Sequence, residues 1–511
     1  MQKSNKVIFN TMILYGKMII TVFVSLYATR IVLNALGVKD YGIYNLIAGV
    51  ITMLSFLQVS MSASTQRFLS FHKGVDDATA LGGIFSSSVI LHFVISIVIV
   101  LGLELLGLPF LNHSLNLPAD RAAVAEVVFH LMVLSTFLTI NSVPYEGALN
   151  ANEDMVFISL LSILEVVLKL ISAISLFYIS MDKLVFYTGS IVGITLLCRM
   201  ISVYYCRSRY VECRAGLRSS NLKDIKSMLA FAGWNSFGAL CAVGRNQGIA
   251  VVLNMFFGVV VNASYGIANQ VSTQLSYFSQ SMLMALRPQI VKSEGEGNRE
   301  KMLRLSVIAS KFSVYFMAIC AVPFFIEMPF VLKLWLKVVP ADTVVFCRLV
   351  IILNIIVQMS AGLMIAIQSA GNIKYYQAVV GTCVLLSLPF GYLFFKLGYP
   401  SYTILVVAII IELLCTLVRV AFARRLVGLS IPNFAFEIFV KAMVPVLLAM
   451  GGVLYLHTLI DNEIWRFFAV TSASLALMPL LIYYIGLNAF ERDIIVGFSQ
   501  NAYSKFINRK K

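Results

Sequence analysis

Lys17, Arg30 and Arg245 stand in stretches of sequence that are otherwise apolar enough to cross a bilayer. A charge in such a place costs at least ~2.5 kcal/mol on insertion scales, so it marks a paired or functional position. Arg245 lies near the middle of 228–254, flanked by Asn246 and Gln247, with no acidic residue within a helical turn. The stretches 7–33, 41–64, 228–254 and 263–286 contain no Asp or Glu. Cations without counter-charges suit an anionic group such as pyrophosphate, because a guanidinium donates two parallel hydrogen bonds to phosphate oxygens. The simpler alternative is that Lys17 and Arg30 reach along their helix and hold their charges at the membrane surface.

Glu165 and Lys169 carry a second chemistry. Four residues apart, they share a helix face. They either neutralise one another as a structural ion pair, or Glu165 carries a coupling proton or sodium ion beside Lys169. Polar side chains also fall into register: Asn269, Ser272, Thr273, Ser276, Ser279 and Gln280 share one helical face, and Arg287 returns to it. A looser version runs through Asn45, Thr52, Ser55, Gln58, Ser62 and Thr65, followed by Arg67. Such faces look into protein or water rather than lipid. They are either helix–helix contacts or the lining of a water-filled path. Glu104, Lys311, Arg348, Glu412, Arg419 and Lys441 read as snorkelling or packing charges. The 8 Cys form no CxxC pair and the 5 His are scattered, so neither a metal nor a cofactor is expected. No GxxxxGK[ST] occurs, which excludes ATP hydrolysis through a P-loop.

The elements that position these residues are transmembrane helices. Of 511 residues, 59% are hydrophobic and 12% charged, against about a quarter charged in a soluble domain. Runs of about 20 apolar residues predict an all-α integral membrane protein of about fourteen spans. They run from 7–33 to 465–487 and include 122–143, 155–180, 342–369 and 402–423. No loop is long enough to hold a soluble domain. The net charge of +15 is lopsided by side: about 23 basic residues fall in one set of loops and about six in the other, which puts both termini in the cytoplasm. No basic, aromatic stretch offers a base-stacking platform, so no nucleic-acid partner is expected. The first apolar run is too long for a signal peptide and reads as a retained span. Prolines 323, 389 and 445 are expected to kink their helices.

Val32-Leu33-Asn34-Ala35-Leu36-Gly37 with Tyr41-Gly42-Ile43-Tyr44-Asn45 parallels Val252-Leu253-Asn254-Met255-Phe256-Phe257-Gly258 with Tyr265-Gly266-Ile267-Ala268-Asn269. Gly37 and Gly258 are expected at turns. The parallel implies two six-helix lobes of the same orientation, related about an axis along the membrane normal. The expected division is 1–206 for the first lobe, 207–227 for a basic cytoplasmic linker, 228–423 for the second lobe, and 424–511 for two extra spans and a basic tail.

Asn262 to Gln270, Arg287-Pro288-Gln289-Ile290-Val291-Lys292-Ser293, and Arg30 followed by Gly37 and Tyr41 to Tyr44 resemble bacterial polysaccharide flippases. These belong to the multidrug/oligosaccharidyl-lipid/polysaccharide exporter superfamily. The resemblance implies a V of two bundles, alternating access, and a central cavity lined by spans 1, 2, 7 and 8. It implies a substrate made of an anionic oligosaccharide on an undecaprenyl pyrophosphate carrier, moved across a bacterial inner membrane for surface polysaccharide such as lipopolysaccharide. Membrane lipids, glycosyltransferases and a polysaccharide polymerase are the partners it suggests. Rival readings are a flippase for the peptidoglycan precursor, a multidrug or cation antiporter of the same superfamily, and a membrane glycosyltransferase or polymerase. The antiporter would place carboxylates in the cavity. The enzyme would need a catalytic carboxylate constellation, and none is evident.

Overall fold

A computed structural model describes residues 2–52, 55–109, 119–216, 219–336, 339–489 and 491–493. Among them the regular elements are all helical, as lipid demands of a chain that must satisfy its backbone groups internally. The helices begin with α1 (Gln2–Thr52), α2 (Ser55–Val75), α3 (Ala78–Gly102), α4 (Ala122–Ile140), α5 (Val143–Ala151), α6 (Met155–Ser175) and α7 (Lys183–Arg209). Then follow α8 (Leu222–Gly295), α9 (Arg299–Ile326), α10 (Met328–Leu336), α11 (Thr343–Met359), α12 (Ala361–Ala370), α13 (Lys374–Leu385) and α14 (Ser387–Lys396). The last are α15 (Thr403–Val427), α16 (Ile431–Ala435), α17 (Met443–Thr458) and α18 (Glu463–Leu481). Several starts are capped by a side chain that accepts from otherwise orphaned amides: Asp77 on α3, Asp154 on α6, Asp182 on α7 and Asn298 on α9.

Among the described residues, 11 helices are long and apolar enough to cross a membrane, or 12 with α11 and α12 taken as one span bent by 41°. The expected count of fourteen is not reached among them. The expected span 41–64 includes residues 53 and 54, which lie outside the described residues, as do 494–511 of the expected basic tail. The helix α8 counts once but has 74 residues, about 110 Å at 1.5 Å per residue, which is far more than one crossing of a ~30 Å hydrocarbon core needs.

The break in α8 is Gly258, at φ 77° and ψ −170°, and α1 breaks the same way at Gly37, at φ 75° and ψ 169°. That backbone region is open essentially to glycine alone. The parallel read in the sequence is thus matched by two closely similar backbone breaks. A second match follows: α4 passes into α5 through Asn141 and Ser142, and α11 passes into α12 through Ser360.

The chain divides into two compact units, Met12–Ser236 with Gly295–Gly297, and Met1–Thr11 with Phe237–Glu294 and Asn298–Lys511. In the first unit a core of Ile43, Ile47, Val128, Phe129 and Leu184 joins α1, α4 and α7. In the second, Leu253, Tyr265, Phe346, Ile351 and Leu405 join α8, α11 and α15. Large apolar side chains also cover the outside: Leu105 and Leu106 are 70% and 75% exposed, as suits a surface solvated by lipid tails.

Pro445 lacks the N–H that would bond the carbonyl of Lys441, and the chain just before it, Phe436–Ala442, is π-helical. The hydroxyl of Tyr315 donates to that carbonyl at 2.8 Å.

Candidate functional site

Arg245 is not alone. Its Nη1 donates to Glu412 Oε2 at 2.9 Å, and Arg419 Nη1 donates to Glu412 Oε1 at 2.7 Å. The expectation of an unpaired cation in α8 is therefore corrected, since its counter-charge comes from α15. The side chains of Glu412, Arg419 and Arg245 are only 2%, 5% and 12% exposed. They are a buried triad of net charge +1, so of the two readings the sequence left for Glu412 and Arg419, snorkelling or packing, the packing one holds. Arg419 also donates to Ser360 Oγ at 3.2 Å, at the bend between α11 and α12, while its Nε is buried without a partner among the described residues. The hydroxyl of Tyr265 lies within electrostatic reach of both Asn269 and Arg245, so Asn269 of the predicted polar face belongs to the same neighbourhood.

The rest of that face divides. Asn354 donates to Ser272, and Ser279 donates to the carbonyl of Ser313 at 2.9 Å. These two serines tie helices together. Ser276 is half-buried and bonds only its own helix, to the carbonyl of Ser272, while Thr273 and Gln280 are exposed. Arg287 is half-buried with no hydrogen bond or ion pair among the described residues.

In the first unit Lys17 is half-buried and lies in the fields of Glu165 and Glu146. Glu165 accepts from Lys169 Nζ at 2.6 Å, and both side chains remain over one-third exposed. The ion pair read from the spacing is present. Lys17, Lys169, Glu146 and Glu165 together balance, so the charge of Lys17 on α1 is offset by carboxylates contributed by α5 and α6. Arg30 is exposed and has no carboxylate partner among the described residues. Arg67 packs its guanidinium against the rings of Phe68, Phe71 and Phe231, 4.7, 5.3 and 5.4 Å away. In α2, Thr65 bonds Ser88 at 3.0 Å, while Gln58 lines a cavity of ≈ 270 Å³ with Tyr44, Ser135, Thr136 and Thr139. The side chains of Thr52 and Ser55 lie outside the described residues.

Lys311, left by the sequence as snorkelling or packing, is a packing charge. Its side chain is fully buried, and Nζ donates at 2.7 Å to both Glu437 and Glu491. Asn488 completes the cluster, its side chain donating to Glu437 and its backbone N–H to Glu491. The cluster ties α9 to the last two spans. Glu104 pairs with His130 at 3.0 Å and Arg348 donates to the carbonyl of Phe325 at 3.0 Å.

Two units of broken membrane helices with buried charges define the class: a polytopic α-helical membrane fold. Three solved structures similar to this chain bear that out. They are a MATE protein in its straight conformation (TM-score 0.72, 16% identity, covering 83% of this chain and 96% of that one) and an outward-facing multidrug resistance MATE family transporter of the MOP superfamily (0.71, 15%, 83% and 95%). The third is a MOP superfamily transporter from Pyrococcus furiosus, described as having a binding pocket of reverse polarity (0.70, 15%, 83% and 95%). At these identities the likeness is one of fold. No curated protein matches the chain. The chain belongs to the polysaccharide biosynthesis protein family, whose model matches residues 4–294.

Proposed function

We propose that the protein moves an oligosaccharide linked to an undecaprenyl pyrophosphate carrier from the inner to the outer leaflet of a bacterial inner membrane, by alternating access, for surface polysaccharide synthesis. The observation that carries this reading is the Arg245–Glu412–Arg419 triad in a member of the polysaccharide biosynthesis family. Glu412 satisfies one face of each guanidinium and leaves one positive charge over. That surplus suits a pyrophosphate, which can take up the remaining donors of Arg245 while Arg419 holds the carboxylate in place. Asn269, Ser276 and Gln280 are the groups we assign to the sugar, with Arg30, Arg67, Arg287 and Lys17 as further contacts along the path.

Glu165, beside Lys169, is the group we assign to ion coupling. Its part-exposed carboxylate and the nearby Glu146 also support a second reading, cation antiport, in which the carboxylates take the substrate's charge.

The test is complementation of a flippase-null strain, scored by surface polysaccharide with protein levels checked in parallel. Arg245→Ala should insert and lose export, and Arg245→Lys should keep part of it, since charge persists but the two-pronged geometry does not. Normal export by Arg245→Ala would remove the triad from the substrate path.

A further inference from the structure

The basic segment after α7 does not hang free. Ser86 Oγ lies 3.0 Å from the carbonyl of Gly216, and the N–H of Asn221 donates to Ser87 Oγ at 3.0 Å. The segment is thereby laid across the start of α3, with Gly82 and Gly83 giving it room. Between them lies a cavity of ≈ 370 Å³, lined by Phe85, Ser86, Tyr145, Arg207 and Arg214 among others.

The lining is one-sided in charge. Arg214 donates from Nε to the carbonyl of Arg207 at 2.7 Å, and from Nη2 to the carbonyl of Ser208. Neutral acceptors orient this guanidinium without cancelling its charge. The side chain of Arg207 has no hydrogen bond or ion pair among the described residues, and its charge, with that of Arg199, reaches Tyr145. Tyr145 is only 6% exposed, stands edge-on to Phe85 with centroids 5.4 Å apart, and lines the cavity with no hydrogen bond to its hydroxyl among the described residues. The nearby acids are engaged elsewhere. Glu212 accepts from Asn152 at 2.9 Å and faces Lys73. Asp154 accepts from Tyr205 and Tyr210 at 2.6 and 2.8 Å.

From this we infer a phosphate-binding site: the cavity takes a phosphoryl anion between Arg207 and Arg214, with the Tyr145 hydroxyl as a third donor. Two uncancelled guanidiniums, a tyrosine hydroxyl with no hydrogen bond among the described residues and no carboxylate in the lining are the chemistry of anion recognition. The site lies where a basic loop meets the end of the membrane helices, the level at which anionic lipid headgroups are found. An anionic phospholipid and free phosphate share this chemistry.

The experiment uses the full chain in neutral detergent and follows thermal unfolding against added short-chain phosphatidylglycerol, phosphatidylcholine or inorganic phosphate. Saturable stabilisation by phosphatidylglycerol but not phosphatidylcholine is expected. The R207Q/R214Q variant should weaken it by about tenfold or more, and Tyr145→Phe by a few fold, as loss of hydrogen bonds to a charged group requires. Tyr145→Phe keeps the ring packed on Phe85 and Arg207→Lys keeps the charge, so both report if the double variant fails to fold. Inorganic phosphate that competes with phosphatidylglycerol makes free phosphate sufficient, whereas no competition assigns the site to the lipid headgroup. Stabilisation by either probe that is indifferent to Arg207, Arg214 and Tyr145, or absent for both, overturns the assignment.

Discussion

Glu412 is the hinge of the triad, and its removal should hurt more than the removal of either arginine. In Arg245→Ala the carboxylate keeps Arg419 at 2.7 Å, so the loss is one charge-assisted hydrogen bond, about 1.5–3 kcal/mol. In Glu412→Gln two guanidiniums, 5% and 12% exposed, lose their shared counter-charge together, and stranding buried charge costs about 3–5 kcal/mol. Glu412→Gln should therefore unfold at a lower temperature than Arg245→Ala in detergent. The double variant Arg245→Ala/Glu412→Gln should recover part of the loss, because only one cation is then stranded. The unfolding temperatures of the wild type and the three variants, with export scored alongside, form a double-mutant cycle. Arg245→Ala as unstable as Glu412→Gln would mean that Arg419 does not hold the carboxylate, and losses that simply add would mean that Arg245 and Glu412 are not coupled; either result refutes the triad.

Three further outcomes can be checked. Gly258→Ala meets open space, so its penalty is the backbone conformation alone, about 1–3 kcal/mol, read as a lower unfolding temperature; an unchanged temperature would mean that the break at φ 77° is not required. At Asp154, burial works against the charged form, but hydrogen bonds from Tyr205 and Tyr210 outweigh it and hold the carboxyl below its ordinary value. A lowered folded-state value gives stability that is present above the unfolded value and lost as pH falls through the folded one, so Asp154→Asn should flatten the acid limb of an unfolding-temperature profile, and an unaltered limb would exclude Asp154 as its source. Glu165→Gln should abolish the response of transport to an imposed proton or sodium gradient, and Glu165→Gln/Lys169→Met should stay inactive while inserted; normal export by the double variant would make the pair structural.

The membrane class was legible from composition, and the paired helix breaks from the motifs that reach Gly37 and Gly258, because a position that only glycine can fill leaves a mark in sequence. The pair Glu165–Lys169 was legible because four residues is one helical turn. The partner of Arg245 was not: Glu412 is 167 residues away, and which helices become neighbours depends on packing that no local pattern records. The same holds for Lys311, whose partners are 126 and 180 residues distant. Arg419 is a different case. It follows Glu412 by two helical turns, on the same face, and that spacing was a usable sign of a buried pair. The polar face of α8 misled in part because periodicity reports that a face avoids lipid, not whether it meets water or a neighbouring helix such as those bearing Asn354 and Ser313.

The most direct test of the whole account is transport in reconstituted vesicles. Purified protein is placed in liposomes with a fluorescent oligosaccharide on an undecaprenyl pyrophosphate carrier, and the label's exposure to an external, membrane-impermeant quencher is followed over time. The labelled lipid should change leaflets with the wild-type chain and stay put with Arg245→Ala. A labelled carrier that stays put with correctly folded wild-type protein, while the same vesicles exchange a cationic drug for protons, would contradict it.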